Sequence, residues 1–194
     1  MKNSVITLLM GGFLALMGVT SCGDDDEKVI EPEVPAASDT YGKSTVKFIC
    51  TCNPVLTEVA DVTMTVKYLL NSQTFKLGRK GRVSYYYGTS VVPAEYHVTF
   101  DVKYKEGYVP EPGKTYDLEM AYTFEMNMYD KEGNPMKGAS SIDGGWNLVN
   151  LEGIEAGNLE SVFTDYLSTQ FPVTYDFSIT KSSNGAYTMS YPMP

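Results

Sequence analysis

The sequence predicts an all-β domain, an antiparallel β-sandwich of immunoglobulin-like kind, and three observations carry that prediction. Long stretches alternate apolar and polar residues with a period of two. Clusters of Gly, Pro and Asn separate them, and only one segment repeats at helical spacing. An apolar side chain at every second position gives a pleated strand one dry face and one wet face, the signature of half-buried antiparallel strands.

Taken in chain order, the first strand expected runs through Val46-Lys47-Phe48-Ile49-Cys50-Thr51-Cys52. Val62, Met64, Val66 and Tyr68 then share a face opposite Thr63, Thr65 and Lys67. Tyr96, Val98, Phe100, Val102 and Tyr104 alternate with His97, Thr99, Asp101 and Lys103. The longest pattern holds Tyr116, Leu118, Met120, Tyr122, Phe124, Met126 and Met128 on one side. Turn signals fall between them at Gly107, Pro110-Glu111-Pro112-Gly113 and Gly133-Asn134-Pro135. Asn184-Gly185, set between Tyr175-Phe177-Ile179 and Tyr187-Met189-Tyr191, predicts a closing hairpin. Leu159, Val162, Phe163, Tyr166 and Leu167 recur at helical spacing after Asn158, and Pro172 stops them. This is a short amphipathic C-terminal helix capped by Asn158. About eight or nine strands and one helix suit a sandwich. A lipocalin-like β-barrel, which also carries a helix near its last strand, is the alternative.

The N-terminus gives an address. Lys2 precedes an apolar run from Val5 to Met17, then Val19-Thr20-Ser21-Cys22. A basic start, a short apolar core and small residues before a cut site make a secretory signal over residues 1–21. The apolar run is shorter than the roughly 20 residues a membrane span needs. A cysteine at the cut marks lipidation, so Cys22 is expected to carry acyl chains (palmitate among them) as the first mature residue. Residues 22–43 then form a tether, poor in apolar residues and interrupted by Pro32 and Pro35. The domain proper is expected over residues 44–194.

The run Cys22-Gly23-Asp24-Asp25-Asp26-Glu27 resembles the lipoprotein export signal of the Bacteroidota. That resemblance implies an outer-membrane protein facing the exterior, with Asp24, Asp25, Asp26 and Glu27 as the export signal. Ala60-Asp61-Val62-Thr63-Met64-Thr65-Val66, the stretch from Val92 to Phe100 and Lys114-Thr115-Tyr116-Asp117-Leu118 also resemble small uncharacterised lipoproteins of that phylum. They bring no catalytic or binding residue with them.

Charge narrows the partners. The chain has 15 basic and 24 acidic residues. Residues 1–21 hold only Lys2 among these, so 14 bases against 24 acids leave the mature chain at −10. Phosphate backbones bind through Lys and Arg, so nucleic acid is not an expected partner. Anionic lipid headgroups are disfavoured likewise, which leaves acylation as the anchor. Besides Cys22, only Cys50 and Cys52 are present. On a strand they share a face with Cα atoms roughly 6.6 Å apart, and a disulfide requires Cβ atoms about 3.8 Å apart. They read as apolar fillers, with a metal pair or a strained redox bond as alternatives.

Catalytic constellations find little footing, and no enzyme activity is expected. His97 is the single histidine, and Asp101 lies about 13 Å along the same strand, so His97 reads as a solvated side chain. No Gly-x-Ser-x-Gly elbow occurs. Glu119 and Glu125 could flank a glycosidic bond only if about 5–10 Å apart. Asp130, Glu132 and Asn134 alternate like a calcium loop, but Pro135 and Ser141 stand where its Gly and Glu belong. No metal or cofactor is expected.

Two clusters point to binding. Lys76, Arg79, Lys80 and Arg82 concentrate positive charge around Gly78 and Gly81, as a soluble hairpin turn or an anion-capturing patch. Tyr85-Tyr86-Tyr87 are consecutive, so at least one faces away from the core. Trp146 follows Asp143-Gly144-Gly145 in a loop-like stretch, and Tyr108 sits beside Pro110. Rings of this kind can stack on sugar faces while Asp and Asn bind hydroxyls. Trp146, Tyr86 and Tyr108 are therefore the candidate ligand-binding residues. The expected role is non-catalytic binding of a glycan or protein at the cell surface. A structural or adhesive envelope subunit is the alternative, or a carrier of a small apolar ligand if the fold is a barrel.

Overall fold

The computed structural model describes residues 40–136 and 141–192, together with the backbone of residues 3–5. Cys22, Asp24, Asp25, Asp26 and Glu27 lie outside the described residues. The chain forms β1 (Asn3–Val5), β2 (Tyr41–Cys52), α1 (Pro54–Val59), β3 (Ala60–Tyr68), β4 (Asn71–Lys76) and β5 (Arg82–Thr89). β6 (Ala94–Tyr104), β7 (Thr115–Asp130), β8 (Ser141–Glu155), α2 (residues 156–170), β9 (Val173–Lys181) and β10 (Tyr187–Pro192) follow.

Two antiparallel sheets result, ordered β1-β10-β9-β6-β3-β4 and β5-β2-β7-β8. They pack face to face as a sandwich. Neither closes into a barrel, so the barrel alternative and the carrier role tied to it fall away. Rings set the order of the layers. Phe75 of β4 meets Tyr85 of β5 at 6.2 Å between centroids. Phe48 of β2 meets Phe177 of β9 at 4.8 Å, and Phe124 of β7 meets the same ring at 5.0 Å. At the opposite edge Trp146 of β8 lies over Tyr175 of β9. Each such pair contributes about 0.5–1.5 kcal/mol beyond its area burial.

The alternation read from the sequence becomes burial directly. Val62, Met64, Val66 and Tyr68 point inward, as do Tyr96, Val98, Phe100 and Val102, and Tyr116 through Met128 at every second position. Tyr41 is also buried, so the domain begins ahead of Ser44, with β2 already paired to β7 at Asp130. Cys50 is buried and Cys52 half-buried, and both are free thiols. A hydrogen bond with Cys52, and after it burial, hold the Cys50 thiol far above its ordinary pKa.

Three elements differ from expectation. α1 carries the chain from one sheet to the other. Asn53 accepts from the Leu56 amide at 2.9 Å as its cap, with Pro54 in the first turn. The C-terminal helix forms, but its middle, Val162–Leu167, winds more widely than an α-helix. Asn158 makes no side-chain cap bond, and Leu159, Phe163 and Leu167 are the residues it buries. The segment read as a loop around Gly144-Gly145 is β8, paired with β7 along most of its length. The last hairpin forms between β9 and β10, with Gly185 at φ 84°.

Candidate functional site

β2, β5, β7 and β8 alternate like the other strands, so their second face looks outward. Three cross-strand rows cover it. Tyr86, Lys47, Glu125 and Asp143 form the first, fixed by the pairings Lys47 with Tyr86, Lys47 with Glu125, and Glu125 with Asp143. Ser84, Ile49, Thr123 and Gly145 form the second. Arg82, Thr51, Ala121 and Asn147 form the third.

Tyr86 is 68% exposed, whereas its neighbours turn the other way. Tyr85 packs on Phe48 and Phe75, and Tyr87 on Tyr68 at 5.0 Å. A shallow trough of about 420 Å³ runs beside the first row, over Lys47, Ile49, Thr123, Glu125 and Asp143. A second trough of about 480 Å³ continues over Thr51, Glu119, Ala121, Asn147 and Asn150. A register shift between Met120 and Ala121 opens the sheet there.

The polar groups of this face are largely unused. Asn127 donates to Glu125 at 2.9 Å, and Thr51 donates to the Ala121 carbonyl. Among the described residues, the side chains of Lys47, Asp143, Asn147 and Asn150 make no hydrogen bond or ion pair. Such groups are hydrated when the face is empty and can exchange that water for ligand hydroxyls or amides.

The structure does not bring the three expected aromatics together. Trp146 is not in a loop but on β8, with its ring turned inward. It stacks on Tyr175 at 5.9 Å and 4° and packs on Tyr122 and Phe124. Tyr108 sits at one end of the sandwich, donating to Glu58 at 3.2 Å and packing edge-on to Tyr104. Burial, then hydrogen bonds to Tyr116 and Glu58, push its phenol well above the usual tyrosine range. Only Tyr86 remains as an outward ring of the three. Sequence reasoning missed Lys47, Asp143, Asn147 and Asn150. Their signal was the alternation of Ile142, Trp146 and Leu148 with Asp143 and Asn147, hidden by the two glycines.

The other expected clusters also separate. Lys76 pairs with Asp61 at 2.8 Å on one sheet, and Arg82 lies on the outer face of the other. His97 is not merely solvated. Across the β6–β9 pairing its Nδ1 lies 2.7 Å from Asp176 Oδ1, while Asp101 holds Lys103. Glu119 and Glu125 lie on one strand roughly 20 Å apart, beyond the reach needed to share a glycosidic bond. No cluster of His, Cys, Asp and Glu able to hold a metal occurs among the described residues. No helix among them is long and apolar enough to cross a membrane. The chain matches no family model, no curated protein and no solved structure.

Proposed function

We propose that this is an exported, lipid-anchored envelope protein whose sandwich binds a glycan or a polar protein surface without catalysis. Residues 1–21 direct export, Cys22 carries the lipid, and Asp24, Asp25, Asp26 and Glu27 send it to the exterior of the outer membrane. The observation that carries the binding role is the outer face of β5-β2-β7-β8. There one exposed ring, Tyr86, pairs across the strands with Lys47 at the first trough, and Lys47, Asp143, Asn147 and Asn150, which line the two troughs, make no side-chain bond among the described residues. A flat ring against the apolar side of a sugar, with a few placed polar groups for its hydroxyls, is how such sites gain orientation and specificity. A rigid sheet holds those groups in place without a folding cost on binding.

Glycan-array binding of the full-length protein tests this, beside Tyr86→Ala and Asn147→Ala/Asn150→Ala. Signal from the parent that both variants lose is the expected result. An equal signal from all three would remove this face from consideration. Protease shaving of intact cells, with Asp24, Asp25, Asp26 and Glu27 replaced by Ala as control, tests the location.

A second reading, as an assembling envelope subunit, has its own observation. The free edge of β10 is covered by Asn3–Val5, pairing Asn3 with Pro192 and Val5 with Ser190. Removal of residues 1–21 would take that strand away and leave a ladder open to pairing. Sedimentation of the processed protein distinguishes the two, since an assembling subunit forms chains of copies and a binding module does not.

A further inference from the structure

We propose that the β3–β4 turn, Leu69-Leu70, with Val91 beside it, is a membrane-contacting tip that seats in the leaflet to which the protein is tethered. The proposal rests on the lipid-anchored reading above and adds how the domain stands on the membrane.

Tyr68 pairs directly with Asn71, so Leu69 and Leu70 are the whole turn. Two-residue hairpin turns place one or both central residues at positive φ and so favour Gly, Asn or Asp there. Here Leu69 holds φ at 52°, a region that a bulky side chain disfavours. Leu69 is also 57% exposed and Leu70 fully exposed. Neither turn geometry nor core packing therefore accounts for two leucines at this point. A strained backbone that displays apolar side chains to the outside points to a surface they are meant to meet.

The identity of that surface follows from where the chain enters the domain. Thr89 joins the tip to the entry point. Its Oγ1 lies 3.0 Å from the Tyr68 hydroxyl and accepts the Val91 amide at 3.0 Å, and its carbonyl accepts the Tyr41 hydroxyl at 3.3 Å. Val91 is about half exposed at 51%. The Thr40 carbonyl, the last tether atom before β2, accepts the Lys131 amide at the same end. The described chain thus enters the sandwich at Thr40, at the end that carries the leucines. The tether between Cys22 and Thr40 is long enough to let that end reach the bilayer, and aliphatic side chains there can enter the interface by about 5–10 Å. The long axis of the sandwich would then stand away from the membrane, leaving the outer face of β5-β2-β7-β8 open sideways to ligand.

The test uses the full-length protein purified with its lipid and placed in phosphatidylcholine vesicles. Intact mass first establishes acylation of Cys22. Leu70→Trp then reports the tip, with wild-type Trp146, packed on the far edge of the sheet, as background. The expected result is a blue-shifted Leu70→Trp emission that falls as brominated acyl chains replace ordinary ones, while wild type does not change. Leu69→Gly/Leu70→Asn, which places glycine at the one position of positive φ, should keep the thermal midpoint and let the domain tumble more freely on the vesicle. Acylation with a tip quenched by acrylamide and untouched by bromine overturns the tip and spares the anchor. Protection of the tip through self-association overturns it in favour of a second copy. An unacylated Cys22 overturns the anchored reading itself.

Discussion

The two faces of β2 and β7 are built by the same backbone, yet they have opposite economies. Inward, Phe48, Tyr122 and Phe124 pack against rings of the opposing sheet, and with Met126 they are almost wholly buried. Outward, Lys47, Ile49, Thr123 and Glu125 line a trough and share few bonds with one another. The inner face is over-determined, since each ring touches several others, and a change there disturbs both sheets. The outer face is under-determined by the fold, so its residues are free to answer to something outside it. A binding surface is expected on the second kind of face, and stability on the first.

Truncation of a core ring is the strongest way to break this contrast. Phe48→Ala removes contacts to Tyr85, Tyr96 and Phe177 and should cost about 3–5 kcal/mol in urea unfolding. Ile49→Ala, one residue along and facing outward, should cost well under half of that. Equal losses would mean that the outer face is covered rather than open.

Gly145 tests the outer face more finely. A Cβ there would sit 2.4 Å from the Tyr122 carbonyl oxygen, which is backbone and cannot swing aside. Gly145→Ala should therefore shift the β7–β8 pairing and cost about 1–3 kcal/mol. Gly144→Ala meets only the edge of the Phe124 ring at 2.8 Å and should cost less.

The core also contains two polar misfits. The hydroxyls of Tyr96 and Tyr122 are buried without a hydrogen-bond partner among the described residues. An unpaired buried group costs about 1–3 kcal/mol, so Tyr96→Phe and Tyr122→Phe should leave stability unchanged or raise it. Burial pushes both phenols well above the ordinary value of 10.0. The unfolded chain then ionises first as pH rises. Stability from these groups is whole below about pH 10 and falls above it, because the unfolded state loses protons that the folded state keeps. A titration at 295 nm should show exposed tyrosines ionising smoothly, with the masked ones released together with loss of circular dichroism. Full ionisation ahead of unfolding would contradict their burial.

Much of the fold was legible because alternation is a direct imprint of burial. Tyr116 through Met128 and Tyr96 through Tyr104 sit where their period placed them. β8 was not legible, because Gly144 and Gly145 read as a turn although close contact with Phe124 and Tyr122 is what requires them. Trp146 was misplaced for the same reason, since a ring after two glycines reads as a loop residue. α1 lay behind the Asn53-Pro54 pair, a cap and first turn too short to show periodicity. The pairing of His97 with Asp176 joins strands 79 positions apart and depends on sheet order, which local pattern does not carry. The candidate face was the least legible part. Alternation says that Lys47, Asp143 and Asn147 are outward, but only the strand order β5-β2-β7-β8 brings them alongside Tyr86.

The smallest effect on stability should come with the largest effect on binding, and Tyr86 is where the two separate. Among the described residues its ring makes no aromatic contact, unlike those of Tyr85 and Tyr87 on either side. Tyr86→Ala should shift unfolding free energy by no more than about 0.5 kcal/mol. If a ligand stacks on that ring, its loss should weaken binding about tenfold or more, equivalent to roughly 1.4 kcal/mol. Tyr86→Phe keeps the stacking surface and removes only the hydroxyl, so it should retain most of the affinity. A Tyr86→Ala protein that binds normally would shift the search from the sheet face to the strand edges, where β10 is the next surface to test.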